Sequence, residues 1–192
     1  MTFFRLNPGL FFSVGSVTII RMKPELALKK LLMGSPSLTL AVAESVTCGQ
    51  VQARLGAVSG ASNYFLGGIT AYSLEQKVKH LRVNRAAARR VDCVSQRVAV
   101  EMAQGAALLF GADMAVATTG YAESNPAAGV KVPMAWWALC HQQPRGRVAV
   151  ISGLIELPQA NRVEVQARVT TEVLRALIAY LREWRRPVPA KK

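Results

Sequence analysis

Residues 38–49, LTLAVAESVTCG, are the stretch that decides the fold. The first half, residues 38–43, is a largely apolar run of strand length, which is typical of a strand buried on both faces of a sheet. The second half becomes polar at Glu44 and Ser45 and contains a glycine, so a tight turn follows the strand directly. A short helix is expected next, at about residues 50–56. A strand that passes through a turn into a helix indicates an α/β protein.

Outward from this stretch, helices and strands alternate along the chain. Helical patterns with start or end signals occupy residues 24–33, 74–81, 94–110 and 157–185. Apolar runs predict further strands at residues 67–72, 113–118, 132–140 and 147–155. The last two strands are separated only by a turn at residues 142–146, which favours an antiparallel pair. We therefore predict one α/β domain of three layers, with a mixed, mostly parallel sheet flanked by helices.

The composition is that of one folded domain. The chain has 192 residues, of which 51% are hydrophobic and 18% charged, and this excludes an intrinsically disordered protein. The three cysteines, Cys48, Cys93 and Cys140, lie far apart, form no CxxC pair and have no histidines at ligand spacing. We therefore expect no disulfide framework and no metal site, and a reducing compartment.

The formal net charge is +13, from 24 lysines and arginines against 11 acidic residues. Such a charge raises nucleic acid or an anionic membrane as possible partners. Most of the basic residues are dispersed along the chain, however. They are dense at the C-terminal end, from Arg182 into a tail at residues 187–192. We therefore interpret the charge as a solvated surface that attracts small anions. A basic protein that associates with nucleic acid is kept as an alternative.

Residues 1–21 differ in character from the rest of the chain. Their apolar run, at residues 10–20, is too short to span a bilayer. Basic residues follow this run, where a signal peptide would have its small-residue cleavage site. We expect no membrane association and treat these residues as an appendage to a domain at residues 22–186. A second hypothesis is that translation begins at Met22.

Two segments that follow strands carry residues suited to nucleophilic chemistry or anion binding. Ligands of open α/β sheets bind beyond the carboxyl ends of the strands. Ser45 lies on a strand-to-helix turn, where a serine is exposed beside the amides that begin a helix, as a nucleophile beside an oxyanion hole would be. Thr119 and Gly120 end another strand and could bind an anion or a carbonyl group. Each segment also has a plain structural interpretation, as a helix cap or a turn.

The segment after the strand at residues 67–72 is more informative. Ser73 and Gln76 form a capping-box pattern, which puts Tyr72 and Lys77 at the two positions that meet across a helix start. The Tyr72 hydroxyl and the Lys77 amine are therefore expected to be neighbours. The positive end of the helix dipole and partial burial would both lower the pKa of Lys77. A neutral lysine can act as a general base toward a serine, although a surface lysine lying along a tyrosine ring is the alternative.

Together these segments resemble the C-terminal domain of the CinA competence-damage-inducible family, over about residues 38–177. The family pattern T-x-A-E-S-C-T-G-G is similar to residues 40–49, and G-[AS]-S followed by F-x-x-G-x-x-x-Y-S-N-E-A-K is similar to residues 60–77. Shorter family motifs are matched later in the same order, at residues 94–95, 113–116, 119–120 and 161–162. Several ordered motifs at matching spacing point to a real relationship.

The resemblance implies an α/β amidohydrolase that converts nicotinamide mononucleotide to nicotinic acid mononucleotide and ammonia, a step of pyridine nucleotide salvage. The family uses a serine–lysine pair without a metal or cofactor. Carried over by motif, Ser45 is the nucleophile, Lys77 its base and Tyr72 the residue that orients the lysine. The residues implied to bind substrate are Ser62, Thr119, Gly120, Arg162, Thr47 and Gly49, with Arg162 on the 5′-phosphate. The resemblance further implies a small anionic nucleotide as substrate, a homodimer and a cytoplasmic enzyme.

The sequence departs from the family around the expected site. Val46 and Cys48 stand where the family has cysteine and glycine, and added bulk there would narrow the site. Residues 121–134 keep little of the family's glycine-rich loop, and Glu123 adds a negative charge where a phosphate is expected. The retained serine and lysine favour an active amidohydrolase. The changed loop favours the alternative, a catalytically inactive paralogue that binds a nucleotide-like ligand.

Overall fold

The structure is a computed structural model that describes residues 23–187 of the chain. Its α-helices are α1 (Pro24–Leu32), α2 (Gln50–Gly56), α3 (Leu74–Leu81), α4 (Arg85–Arg89), α5 (Gln96–Phe110) and α6 (Arg162–Trp184). Its strands are β1 (Leu40–Glu44), β2 (Phe65–Thr70), β3 (Met114–Tyr121), β4 (Met134–Gln143) and β5 (Arg147–Glu156). The expectations for residues 1–21, for a start at Met22 and for residues 188–192 lie outside the described residues.

The five strands form one sheet, in the order β2-β1-β3-β4-β5. β1 pairs in parallel with both β2 and β3, whereas β4 pairs antiparallel with both β3 and β5. Four strands therefore run in one direction and β4 in the other, which confirms the predicted mixed, mostly parallel sheet. The carboxyl ends of β1, β2 and β3 lie at the same edge, where a ligand site is expected.

β1 is buried on both faces, as its apolar run predicts. Leu40 and Val42 belong to a core that the sheet shares with α1, α2 and α6. Ala41 and Ala43 belong to a second core on the opposite face, shared with α3, α4 and α5 and rich in alanine. The three predicted layers are thus confirmed, and small side chains on one face of the sheet let α5 pack close to it.

The helix that carries Lys77, α3, packs closely against α5. Gly105 of α5 makes this approach possible, because a Cβ at that position would lie 2.1 Å from the carbonyl oxygen of Leu81 at the end of α3. That distance is far below any van der Waals contact, so a larger residue could fit only if the two helices moved apart. The contact therefore fixes the position of α3 relative to the sheet.

Some element boundaries differ from the predictions. α6 begins at Arg162 and not at residue 157, because Asn161 and Glu164 form a capping box that starts the helix there. The sequence pattern does not predict α4, whose five residues, capped by Asn84, are too few to show a helical period. These differences do not alter the layers or the order of the strands.

Candidate active site

Ser45 lies in the turn between β1 and α2, at the carboxyl edge of the sheet. Its backbone amide donates to the carbonyl oxygen of Thr118 in β3, at 3.0 Å, which ties the turn to the neighbouring strand. Its side chain lines a cavity, although the residue is only 7% exposed. At the end of the turn Gly49 has φ 93°, a left-handed conformation that glycine adopts without strain.

A buried carboxylate that the sequence analysis missed, that of Glu44, organises this turn. It accepts hydrogen bonds from the Thr47 hydroxyl at 2.6 Å, and from the backbone amides of Gly49, Val51 and Gln52 at 2.9, 3.1 and 2.9 Å. The charge of this buried side chain is therefore held by four donors at the positive end of α2. An acidic residue between a buried strand and a glycine turn was the signal that could have revealed it.

This arrangement corrects two expectations for the turn. The amides that begin α2 bind Glu44, so they do not form the oxyanion hole expected beside the serine. Thr47 is fully buried and its hydroxyl also lies 2.8 Å from that of Thr118, so neither Thr47 nor Gly49 is placed to bind substrate. Their role is to hold the shape of the turn.

Lys77 brings its amine to the serine, although 32 residues separate them in the chain. α3 starts at Ser73, whose side chain accepts from the backbone amide of Gln76 as predicted, and Lys77 lies in the first turn. Its Nζ is 2.9 Å from Ser45 Oγ, in a side chain that is 1% exposed. The Ser45 hydroxyl and the Lys77 amine are therefore neighbours in the structure, as the resemblance implies.

Burial lowers the pKa of Lys77 below its ordinary value of 10.5, because desolvation penalises the ammonium form. The negative potentials of Cys93 and Asp92 oppose this shift but are smaller. The neutral amine that a general base requires is therefore easier to form here than on an exposed lysine.

Tyr72 contacts Lys77 in a different way from the one predicted. Its backbone carbonyl oxygen accepts a hydrogen bond from Nζ at 2.8 Å, whereas its side chain is 58% exposed and lines the cavity. The hydroxyl is therefore not the group that orients the lysine. The capping geometry of the helix start brings the main chain of residue 72, and not its ring, to the amine.

Thr119 and Gly120, at the end of β3, both line the cavity. The Thr119 hydroxyl donates to the carbonyl oxygen of Cys93 at 2.7 Å, which joins β3 to the segment before α5. A Cβ on Gly120 would lie 2.2 Å from the carbonyl oxygen of Met134 in the paired strand β4, so the pairing requires glycine at this position. Both residues shape the wall of the cavity.

The cavity beside the serine–lysine pair has a volume of 420 Å³. Val46 lines it without closing it, and Cys48 lies exposed on the turn at φ 49°, outside the lining. The two replacements therefore do not close the cavity. A volume of this size accommodates a small organic molecule.

Arg162, at the first position of α6, also lines the cavity and is paired with Glu123. Its Nη2 and Nε donate to the same Glu123 oxygen, at 2.6 and 3.2 Å. This hydrogen bond is the main cause that raises the pKa of Arg162, and Tyr72 adds to it. The arginine expected to bind a phosphate is thus held by a carboxylate of the chain itself.

A second acidic side chain, Asp92, lines the same cavity. It accepts a hydrogen bond from the Tyr121 hydroxyl at 2.9 Å. Partial burial, followed by this contact with Asp92, raises the pKa of Tyr121 to about 12. The phenol is therefore protonated at neutral pH and donates to the carboxylate.

Ser62, expected to bind substrate, lies elsewhere. It is exposed in a short 3₁₀ turn, Ala61–Asn63, that precedes β2. Because Phe65 of β2 pairs with Leu40 at the start of the parallel strand β1, this turn lies at the end of the sheet opposite to Ser45. Within one chain Ser62 does not reach the cavity, and the expectation is corrected.

Within residues 23–187, no group of three or more histidine, cysteine or acidic side chains could hold a metal ion. None of the helices in this range is both long and apolar enough to cross a membrane.

Relatives of known sequence support the resemblance of these motifs to a family. A CinA-like protein of Chlorobium limicola is 36% identical over 158 residues, which cover 82% of this chain and 37% of the relative. A CinA-like protein of Mycobacterium marinum is 38% identical over 145 residues, which cover 75% of this chain and 33% of the relative. The chain thus spans about a third of the length of these relatives.

Solved structures share the whole fold. A CinA superfamily protein from Klebsiella pneumoniae superimposes with a TM-score of 0.75 and 26% identity, covering 84% of this chain and 97% of that one. A CinA superfamily protein from Escherichia coli superimposes with a TM-score of 0.70 and 27% identity, covering 82% and 88%. The model of the family described as the CinA C-terminal domain matches residues 24–181. On this evidence the chain belongs to the CinA C-terminal domain family.

Proposed function

We propose that this protein is an amidohydrolase that cleaves the carboxamide of nicotinamide mononucleotide or of a closely related compound, with Ser45 as nucleophile and Lys77 as general base. The observation that carries the proposal is the 2.9 Å contact between Ser45 Oγ and the buried Lys77 Nζ at the wall of an open cavity. Nucleophile and base within hydrogen-bond distance are the requirement for activating a serine.

The chemistry begins with loss of a proton from the Lys77 ammonium group. One N–H of the neutral amine still donates to the Tyr72 carbonyl oxygen. The lone pair of the amine nitrogen is then free to accept the Ser45 proton. The serine oxygen then attacks the carboxamide carbon, and a tetrahedral oxyanion forms. The Lys77 ammonium donates its new proton to the leaving nitrogen, and ammonia departs from an acyl-serine ester.

The second half of the reaction regenerates the serine. A water molecule gives one proton to Lys77 and attacks the ester carbon, and the lysine returns the proton to Ser45 as the ester bond breaks. The product leaves as a carboxylic acid, which releases a proton to water and becomes the carboxylate, and the enzyme is free again. One amine thus serves as base and acid in both halves, as in other serine–lysine hydrolases.

The oxyanion requires hydrogen-bond donors, and the amide of Val46 meets the requirement. Val46 directly follows the nucleophile and lines the cavity. Among the described residues its amide has no protein acceptor. In hydrolases whose serine lies on a strand-to-helix turn, the residue after the nucleophile supplies such a donor.

The test is ammonia release from nicotinamide mononucleotide, from its nucleoside and from free nicotinamide. We expect Ser45→Ala and Lys77→Met each to reduce release by about a thousandfold or more, since the two residues act as a unit. Ser37→Ala is the matched control, because Ser37 is an exposed serine that precedes the opposite end of β1. No release from any of the three compounds by the wild-type protein would contradict the proposal and leave a ligand-binding paralogue.

A further inference from the structure

The acidic and basic side chains that line the cavity decide which charge a ligand should carry there. They are Lys77, Asp92, Glu123 and Arg162. The proposed mechanism needs Lys77 to be neutral before the serine attacks. In that state two carboxylates accompany a single guanidinium, so the cavity is locally negative although the whole chain carries +13.

Arg162, the cationic side chain that remains in the cavity lining when Lys77 is neutral, is already paired with Glu123. Two of its nitrogens donate to Glu123, and both side chains are about half exposed, at 48% and 58%. An ion pair that exposed is weak, so a phosphate could displace the carboxylate from the arginine. The displaced Glu123 would still lie close to the phosphate, and its like charge would oppose binding.

Two of the backbone amides at the start of α6, those of Asn161 and Glu164, are also occupied. A free helix start is a common phosphate site, because its amides and its dipole favour an anion. Here the Asn161 side chain accepts from the Glu164 amide at 3.0 Å, and the Glu164 carboxylate accepts from the Asn161 amide at 3.0 Å. The capping box thus satisfies these two donors internally and adds a further negative charge to the first turn.

Part of the loop between β3 and β4 is closed by its own backbone hydrogen bonds. The amides of Asn125 and Val130 donate to each other's carbonyl oxygens at 2.9 Å. Those of Ala128 and Gly129 donate to the carbonyl oxygens of residues 125 and 126 at 3.0 Å. These four amides are therefore engaged within the loop and are not free to bind a phosphate.

We propose that Glu123 is a specificity-determining residue and that the preferred substrate is an N-ribosylated pyridinium carboxamide without a phosphate. Such a nucleoside carries a positive ring nitrogen, which suits a cavity lined by Asp92 and Glu123. Its 5′-phosphate carries two negative charges at the position that the Glu123–Arg162 pair disfavours. This inference rests on the proposed hydrolase activity for its chemistry, but the charge preference is measurable without turnover.

The experiment compares nicotinamide riboside with its 5′-phosphate. Catalysis is measured as kcat/KM for ammonia release by the wild-type protein, and binding as the dissociation constants of both compounds with Ser45→Ala. We expect the nucleoside to be preferred about tenfold or more in both measurements, the size of effect that one close like charge produces. Higher salt should narrow the preference, because the opposing charges are partly exposed.

Glu123→Gln is the decisive variant. It should shift the ratio of the two kcat/KM values, and the ratio of the two affinities, about tenfold toward the phosphorylated compound. Glu172→Gln is the matched control, because Glu172 forms a similarly exposed ion pair with Arg175, at 2.6 Å, on α6 outside the cavity lining. The Glu172→Gln variant should prefer the nucleoside over its 5′-phosphate as strongly as the wild-type protein does.

The outcomes separate the inference from the proposed function. Tighter binding or faster turnover of the phosphorylated compound by the wild-type protein overturns the inference and leaves the hydrolase. A nucleoside preference in binding that is lost in Glu123→Gln, without turnover of either compound, supports the inference and overturns the hydrolase. If neither compound binds, both fail.

Discussion

Glu44 shows how one buried carboxylate can control a reactive side chain that it does not touch. It receives four hydrogen bonds from the turn and the start of α2, and the serine lies immediately after it in the chain. The turn therefore keeps its shape through a charge that is fully buried and fully bonded. Ser45 is further held by its own amide, which donates to Thr118, and by its hydroxyl, which accepts from Lys77.

Replacing this carboxylate should damage both stability and activity. We expect Glu44→Gln to lower the free energy of unfolding by about 2–4 kcal/mol, because an amide nitrogen would face backbone donors that then lose their acceptor. Denaturant unfolding and ammonia release measure the two effects. Glu156→Gln, at an exposed position, is the control. An unchanged midpoint for Glu44→Gln would show that the hydrogen bonds contribute little.

The titration of Lys77 should govern the pH dependence of the reaction. Desolvation lowers its pKa below 10.5, and only the neutral amine can take the serine proton. The rate constant kcat/KM should therefore rise with pH through the lowered pKa, reach a plateau below pH 10.5 and fall on acidification. A pH–rate profile measures this behaviour. A rate that is constant down to acidic pH would exclude a lysine base.

At the scale of elements, the contact between α3 and α5 places the base. Lys77 lies one helical turn before Leu81, whose carbonyl oxygen faces Gly105 of α5 with no space for a Cβ. Gly105→Ala should therefore lower the free energy of unfolding by about 1–3 kcal/mol and also reduce kcat, because α3 must move away from α5.

Gly56→Ala is the control for this prediction. No heavy atom lies within 4 Å of a Cβ at position 56, at the end of α2, so the same substitution should be neutral or slightly stabilising there. Thermal unfolding and steady-state kinetics of both variants test the argument. A neutral Gly105→Ala would show that the helices can separate without cost.

At the scale of the whole molecule, the larger core joins α6 to the sheet. Leu174 of α6 is fully buried in it, so Leu174→Ala should lower the free energy of unfolding by about 2–5 kcal/mol while kcat of the folded protein stays nearly unchanged. Leu154→Ala, at a leucine that is 43% exposed, should have a small effect on stability. A large drop in kcat for Leu174→Ala would mean that α6 packing controls the site.

The architecture followed from patterns within single segments of the sequence. The apolar run at residues 38–43 predicted a strand buried on both faces, and the Ser73 cap predicted that Lys77 lies in the first turn of a helix. Both features depend on neighbours within a few residues, where periodicity and capping rules apply. The resemblance to a family supplied the pairing of this lysine with Ser45.

Features that depend on contacts across the fold were missed or wrong. The pairing of Glu123 with Arg162 joins residues 39 apart, and no local rule predicts it. Ser62 was expected at the cavity but lies at the opposite end of the sheet, because the register of β2 on β1 decides its position. The main-chain contact of Tyr72 with the lysine is equally invisible to side-chain patterns.

The loop between β3 and β4 has a consequence for how the protein could diverge. Its hydrogen bonds between Asn125 and Val130 close it as a unit, while the hydroxyl and the amine that would break the amide bond are supplied by other parts of the chain. Mutations in this loop can therefore change the cavity lining at residues 123–125, while the serine and the lysine stay on other elements. Replacing this loop with that of a homologue should therefore change which substrate the protein prefers, while the residues that would cleave the amide bond stay the same.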